Sequence, residues 1–287
     1  METIYEVNPI LRFDPRGGRN RYKCNFDFFK QWTDGMAYVL GFLYADGDIV
    51  DAVSSRTQYI KFVNTDKEII EKIKTAMRSE HPISVRAPQV HIYKNGAHKS
   101  RELFILRIGS RGMFHDLIHL GIVPNKSKII TFPNVPLSYL SHFIRGYFDG
   151  DGSIVFNKKW IRIVFTSGSK DFLDQLSDEL SRALEIRKRS VRLGHHSYQL
   201  YYFTQEGLKV LNFIYKNVEK DKLYLDRKYK FYKKLAVKYK YILNKHITQV
   251  AVYPSSLRGR SAKPLFVGAN PTAASKFCRG AGIGLQE

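Results

Sequence analysis

Leu40-Gly41-Phe42-Leu43-Tyr44-Ala45-Asp46-Gly47-Asp48 and Arg145-Gly146-Tyr147-Phe148-Asp149-Gly150-Asp151-Gly152-Ser153 are two versions of one pattern. Each reads as the end of an apolar helix that an Asp-Gly pair stops. Small residues stand four apart in both, Gly41 with Ala45 and Gly146 with Gly150. They share one helical face, against which another backbone can come close. Each helix also carries an acid in its last turn, Asp46 or Asp151, where the macrodipole is negative and an anion is disfavoured. If the two faces pack together in parallel, both acids arrive at one spot and repel each other. A divalent cation removes that conflict, because Mg2+ takes oxygen ligands and is commonly held by one or two carboxylates together with waters and phosphate oxygens. A single Asp-Gly is an ordinary helix stop; two in matching contexts, 105 residues apart, point to a metal site.

The surroundings of the two stretches repeat as well. Thr33 or Asp34 can cap the first helix. After it come a strand around 59–63, a helix over 68–77 opened by Asp66, strands over 83–93 and 102–108 joined at Lys94-Asn95-Gly96, and a short helix over 112–120. The second stretch is followed by the same order: helix 138–150, strand pair 154–165, helix 169–184, strand pair 190–203 and short helix 207–215. This is a duplication. The fold class is therefore α/β, more closely α+β, with two tandem αββαββα repeats over 31–133 and 134–245. Pro124, Pro133 and Pro136 mark a linker near 121–136. Ahead lies a basic, Gly-rich arm over 1–30. Behind lies a Gly-, Ala-, Ser- and Pro-rich tail over 246–287, expected to be poorly ordered.

Composition bounds the partners. The formal charge is +21, from 47 Lys and Arg against 26 Asp and Glu, which makes a polyanion the default partner and nucleic acid the first choice. Aromatic residues make up 14% and are interleaved with the cations, which suits flat contacts as well as ordinary cores. No run approaches ~18 apolar residues and Met1–Glu6 lacks the features of a signal peptide, so no membrane partner is expected and the protein is read as intracellular and not secreted, in cytoplasm, nucleoid or an organelle. Cys24 and Cys278 stand alone, too few for a disulfide framework or a Cys-based zinc site. His115 and His119 share a helical face, but a zinc-protease helix needs Glu where Asp116 stands. The run Gly280–Gly284 has neither strand before it nor helix after it, and is no phosphate loop.

The two stretches resemble the signature motifs of the LAGLIDADG homing endonucleases. Residues 39–47 and 144–152 align with the nine-residue motif, and the resemblance runs from about Gly35 to Tyr232, with Tyr44 where the family often has an acid. It implies a single-chain, two-motif, monomeric hydrolase: an endodeoxyribonuclease whose paired helices sit between twisted antiparallel sheets that form a DNA-binding saddle about a pseudo-two-fold axis. The motif's last acid binds the metal, giving Asp46 and Asp151, aided by the carbonyls of Ala45 and Gly150; Mg2+ is the expected ion, with Mn2+ or Ca2+ able to take its place. A basic residue after each repeat's short helix supports the chemistry, which falls on Lys126 and Lys222, with Lys128, Lys220 and Arg227 as alternative registers. Thr65-Asp66 and Thr166-Ser167 are candidates for ordering solvent or capping helices.

The substrate implied is double-stranded DNA, read over a non-palindromic site of about 20 base pairs, roughly two turns at ~10 per turn. Strands lying in the major groove present alternate side chains to base edges. Candidates in the first repeat are Arg56, Gln58, Lys61, Arg86, Gln89, His91, Tyr93, Lys99 and Arg101. In the second they are Asn157, Lys158, Lys159, Arg162, Arg187, Lys188, Arg189, Arg192, His195, Tyr198 and Gln199. Arg pairs with guanine and Gln or Asn with adenine, while Lys neutralises phosphate. The rival reading is a protein of the same fold that binds without cutting, an RNA maturase acting on its intron RNA or a silent nucleic-acid binder. Retention of both acids favours the nuclease.

Overall fold

The computed structural model describes residues 22–52, 57–93, 96–157 and 160–240. The first repeat runs α1 (Asp34–Asp46), β1 (Gly47–Ala52), β2 (Thr57–Asn64), α2 (Lys67–Ala76), β3 (Ile83–Arg86), β4 (Val90–Tyr93), β5 (Gly96–Lys99), β6 (Leu103–Gly109) and α3 (Arg111–His119). The second runs α4 (Leu140–Asp151), β7 (Gly152–Asn157), β8 (Trp160–Ser167), α5 (Lys170–Leu184), β9 (Arg192–Leu193), β10 (Tyr198–Phe203) and α6 (Thr204–Tyr215). Two further helices follow, α7 (Val218–Asp221) and α8 (Asp226–Lys238).

Each repeat builds a four-stranded antiparallel sheet in the same order, β1-β2-β6-β3 and β7-β8-β10-β9. The registers coincide. Gly47 pairs with Phe62 and Phe62 with Leu106 in one sheet, as Gly152 pairs with Phe165 and Phe165 with Leu200 in the other. Strand alternation then sorts the side chains. Ile60, Phe62, Leu106 and Ile108 face inward and are fully buried, as are Ile161, Ile163, Phe165, Leu200 and Tyr202. These join α1 and α4 in one continuous apolar core. The opposite faces carry Tyr59, Lys61 and Arg107, and Arg162, Gln199 and Tyr201.

The sequence expectations hold for element order and change in detail. Thr33 caps α1, its hydroxyl accepting from Met36 N–H at 3.0 Å. The strand pair expected over 190–203 keeps only two residues in β9, and α6 starts three residues early, at Thr204. Of the stretch read as an arm, 22–30 packs down. Cys24, Phe26 and Phe29 are buried, Asn25 N–H donates to the Met77 carbonyl at 3.1 Å, and Glu80 N–H donates to that of Lys23 at 2.8 Å. Residues 1–21 and the tail over 246–287 lie outside the described residues. No helix among the described residues is long and apolar enough to cross a membrane.

Candidate functional site

The site begins with the glycines at the crossing of α1 and α4. A Cβ on Gly41 would stand 2.0 Å from the Phe143 carbonyl oxygen, and one on Gly146 would stand 2.0 Å from that of Tyr38. One turn on, a Cβ at Gly150 would lie 2.4 Å from the Ala45 Cβ and 3.4 Å from the Asp46 carboxyl carbon. Backbone therefore meets backbone at Gly41 and Gly146, and Gly150 meets the small Ala45 side chain, contacts that only small residues allow. Both helices stop at the acid because the next residue, Gly47 or Gly152, turns extended and donates back to the Leu43 or Phe148 carbonyl. Asp46 and Asp151 thus end side by side at the same end of the pair.

Their electrostatics follow. Burial, then the neighbouring Asp46 carboxylate, push the Asp151 carboxyl up to about 6, against the pull of Lys126 and Lys228. Burial also raises Asp46, while Lys228, a 2.8 Å hydrogen bond from the Asn64 amide, and Lys126 oppose it. Among the described residues neither lysine closes an ion pair with either acid. The ammoniums are spent instead on carbonyls, so neither lysine neutralises the carboxylates by direct contact. Carbonyls of a helix's last turn, which include those of Ala45 and Gly150, have no partner four residues on. Two crowded carboxylates and two orphan carbonyls make a set of hard oxygen donors, which fits Mg2+ or a similar divalent ion. Among the described residues no group of three or more His, Cys, Asp or Glu side chains gathers as a metal site, and a Mg2+ site needs none.

The lysines correct the sequence register. Lys126 is where it was expected, in a 3-10 turn over Lys126–Lys128, buried, with Nζ donating to the Gly47 carbonyl at 2.6 Å. Burial lowers its pKa, opposed by Asp151, Asp48 and Asp46. Lys222 is not its counterpart. It closes α7 in a left-handed turn (φ 54°) and is exposed. The equivalent of Lys126 is Lys228 in α8, which donates to the Gly152 carbonyl at 2.6 Å, and to those of Phe148 and Asp149 at 2.5 and 2.8 Å. Burial brings its pKa down to about 8. The insertion of α7 lengthens the path after the second short helix, and spacing counted from Gly112 and Gly207 therefore fell short. Of the alternatives, Arg227 pairs with Asp66 at 3.0 Å, Lys128 and Lys220 are exposed, and none reaches the acids' carbonyl cradle.

A second layer was also misaligned. The residue equivalent to Ser167 is Asn64, not Asp66, because Phe62 matches Phe165. Asn64 and Ser167 do the same job: their side chains accept from the N–H two residues on, Asp66 at 2.9 Å and Ser169 at 3.1 Å, and so shape the turn into the next helix. Thr65 and Thr166 take no such part. Asp149, fully buried, was missed as well. Tyr38 Oη, Tyr215 Oη and Leu225 N–H donate to it at 2.8, 2.5 and 2.8 Å, so it ties α6 and the α8 lead-in to the helix pair. Its pKa is raised, burial outweighing the donors. Apolar motif spacing gives no signal for such a role.

The expected DNA-contacting residues divide. Lys61 and Arg86 lie on the outward face of the first sheet, with Arg107, which sequence reasoning omitted, stacked 3.6 Å over the Tyr59 ring. Asn157, Arg162, Arg192 and Gln199 lie on the outward face of the second. Gln58 and Tyr198 have the parity of the inward face, so alternation sets them against that expectation. Arg189 is held by Glu206 at 2.6 Å and by Ser177, and Lys188 by Asp178 at 2.7 Å. With Arg187 they lie between α5 and β9, not on a strand. Gln89, Lys99, Arg101 and His195 are exposed, and His91 and Tyr93 stand on β4. Arg56, Lys158 and Lys159 lie outside the described residues.

Residues 138–212, from the start of α4 into α6, match the family described as LAGLIDADG-like domain. The chain is 27% identical over 164 residues to the DNA-directed RNA polymerase subunit Rpo1C of Methanocaldococcus jannaschii, covering 57% of this chain and 16% of that one. The chain thus spans about a sixth of that relative's length. Among solved structures it is similar to the homing endonuclease I-WcaI bound to its DNA recognition sequence, with 15% identity, 69% of this chain and 87% of that one covered, and a TM-score of 0.48. It is similar also to the N-terminal LAGLIDADG domain of DUF199/WhiA, with 16% identity, 63% and 80% covered, and a TM-score of 0.42.

Proposed function

We propose that this chain, with a LAGLIDADG-like domain over 138–212 and a repeat of the same strand order and register ahead of it, is a single-chain, divalent-metal-dependent endonuclease. Its substrate is double-stranded DNA, cut on both strands within a long, non-palindromic site of about 20 base pairs, two turns at ~10 per turn. The convergence of Asp46 and Asp151 at one end of a glycine-packed helix pair carries this reading. Two carboxylates are brought together in a buried setting, and burial, then the neighbouring Asp46 charge, push Asp151 up to about 6. A divalent cation held by the two carboxylates would offset the cost of that arrangement. Bound there, Mg2+ would supply Lewis-acid polarisation of the scissile phosphate and a lowered pKa for the attacking water.

The chain's own residues do the rest. Asp46 and Asp151 would hold the ion, with the Ala45 and Gly150 carbonyls to aid them. Lys126 and Lys228 grip the carbonyls of Gly47 and Gly152, which fixes each acid's helix end, and place positive charge beside the developing phosphorane. The outward faces of the two sheets, with Lys61, Arg86 and Arg107 on one and Arg162 and Arg192 on the other, meet backbone phosphates and base edges. A net charge of +21 makes the binding steeply salt-dependent.

The test is incubation with a randomised DNA library in Mg2+ and in chelator, sequencing the ends produced. Recurrent metal-dependent ends at one site are expected, and Asp46→Asn or Asp151→Asn should abolish them while leaving DNA binding. Full-rate cutting by either variant refutes the metal assignment. Retention of one RNA or DNA species without any cut replaces the nuclease with a maturase or a silent binder.

A further inference from the structure

Each repeat is followed by a segment that brings a lysine back to that repeat's own helix end, Lys126 to the Gly47 carbonyl and Lys228 to that of Gly152. Both segments get there by lying against the opposite repeat. After the first repeat, residues 127–132 rest on the second. A Cβ on Gly168 would stand 2.2 Å from the Ser127 carbonyl oxygen, so the backbone of the lysine's turn touches the backbone between β8 and α5. Five residues on, Phe132 N–H donates to Gln175 Oε1 on α5 at 2.9 Å, and its ring centroid lies 5.5 Å from that of Phe172.

After the second repeat, residues 221–228 are gripped from two sides. On one side is α4. Arg145 and His142 hold Asp221, Arg145 Nε donates to the Leu223 carbonyl at 2.8 Å, and Leu225 N–H donates to Asp149 at 2.8 Å. On the other side is the first repeat. Lys72 on α2 donates to the Tyr224 carbonyl at 3.0 Å and to Asp226 at 2.5 Å, and its ammonium lies 4.1 Å from the Tyr224 ring centroid. Glu68 pairs with the same ammonium at 2.9 Å. The Lys72 and Asp226 side chains are 21% and 29% exposed, so their attraction is screened less than that of a surface pair. The Arg227–Asp66 pair at 3.0 Å has side chains 59% and 35% exposed and contributes little.

We infer that the seating is crossed: Gly168 and Gln175 of the second repeat are positioning residues for Lys126, and Lys72 of the first is a positioning residue for Lys228. Each repeat's helix end is then complete only when the other repeat is docked. The effect on rate rests on the nuclease reading; the seating itself does not.

Amide exchange in the full chain tests the seating. Ile129 and Ile130 N–H donate to the Lys126 carbonyl at 3.0 and 2.9 Å, and Lys228 and Tyr229 N–H donate to that of Leu225, both at 3.0 Å, so each pair reports on one lysine's turn. Gly168→Ala and Gln175→Ala should speed exchange at Ile129 and Ile130 roughly two- to tenfold, the worth of one hydrogen bond, and leave Lys228 and Tyr229 unchanged. Lys72→Met should do the reverse. Gln175→Ala adds no bulk and decides the first arm if Gly168→Ala does not fold. A rise at the turn serving the mutated repeat itself, an equal rise at both turns, or no rise overturns the inference. Single-turnover cleavage then crosses the variants. Gln175→Ala should slow the Lys228→Met chain as much as it slows the parent and add nothing to Lys126→Met, and Lys72→Met should add nothing to Lys228→Met. Independent effects in every pair refute lysine seating as the route to rate. A parent that never cuts while the crossed exchange pattern holds sinks the nuclease alone, and unmoved exchange in a parent that cuts sinks the seating alone.

Discussion

Gly146→Ala puts two effects of opposite sign in competition. An alanine in a helix is favoured over glycine by up to ~1 kcal/mol where there is room. Here there is none: the new Cβ would fall 2.0 Å from the Tyr38 carbonyl oxygen and 2.8 Å from the Phe42 nitrogen. Ordinary contact begins near ~3.5 Å, so α1 and α4 must part by more than about 1 Å. Overpacking costs ~1–3 kcal/mol, and the upper end applies because the obstacle is helix backbone and not a side chain that can turn away. The net loss is about 2 kcal/mol, or a fall in Tm of roughly 4–8 °C for a protein of this size. Separation also moves Asp46 from Asp151, and ~1 Å of misplacement is worth about 10²-fold in rate. Thermal unfolding and single-turnover cleavage measure the two. Gly35→Ala is the internal control: it lies in the partner helix α1, its Cβ would meet only Leu223 Cδ1 at 3.6 Å, and it should be neutral or stabilising. A Gly146→Ala protein that melts and cuts like the parent would refute the close-packed seam as the device that pairs the acids.

Lys126→Met and Lys228→Met should each depress cleavage at least a hundredfold in single-turnover assays, while Lys222→Met stays within twofold; loss of activity in the last alone would restore the register read from sequence. Tyr38→Phe removes a 2.8 Å hydrogen bond to the buried Asp149 carboxylate and should lower stability by ~1.5–3 kcal/mol, read by urea unfolding, with no effect expected if Asp149 were unimportant to the helix pair. His81, held by the Ser79 hydroxyl at 2.9 Å, is brought down to about 4 by burial, with Lys74 adding to the shift. Its folded pKa lies below the unfolded 6.5, so the unfolded state binds the extra proton. Its contribution is complete above pH 6.5 and is lost as pH falls towards 4. Between pH 7.5 and 5 the parent should therefore lose more Tm than His81→Gln, and equal losses would contradict the assignment.

Much of this was legible because duplication shows itself as recurrence, and recurrence survives ignorance of every contact. The order of elements in both repeats, the helix stop at each Asp-Gly, and the small residues on one face all follow from local propensity and period, which depend on near neighbours in the chain. Lys228 was not legible. It lies 77 residues beyond Asp151, and a four-residue helix, α7, shifts the spacing that would have identified it. Asn64 was hidden for a similar reason, since its equivalence to Ser167 depends on strand register, which is set between strands and not along one. Asp149 reads as a second acid of the motif until three donors from distant segments are seen around it.

Sequence by itself determined that the chain is two copies of one αββαββα unit, that each ends a helix on an acid, and that the whole is strongly cationic, because composition and periodicity are properties of the chain alone. Tertiary structure decided which lysines reach the acids, which strand residues face outward, and that the first repeat alone extends its hairpin into a ribbon. Those outcomes depend on which distant backbones meet, and a contact between segments tens of residues apart is chosen by the packing of the whole core rather than by the residues flanking it.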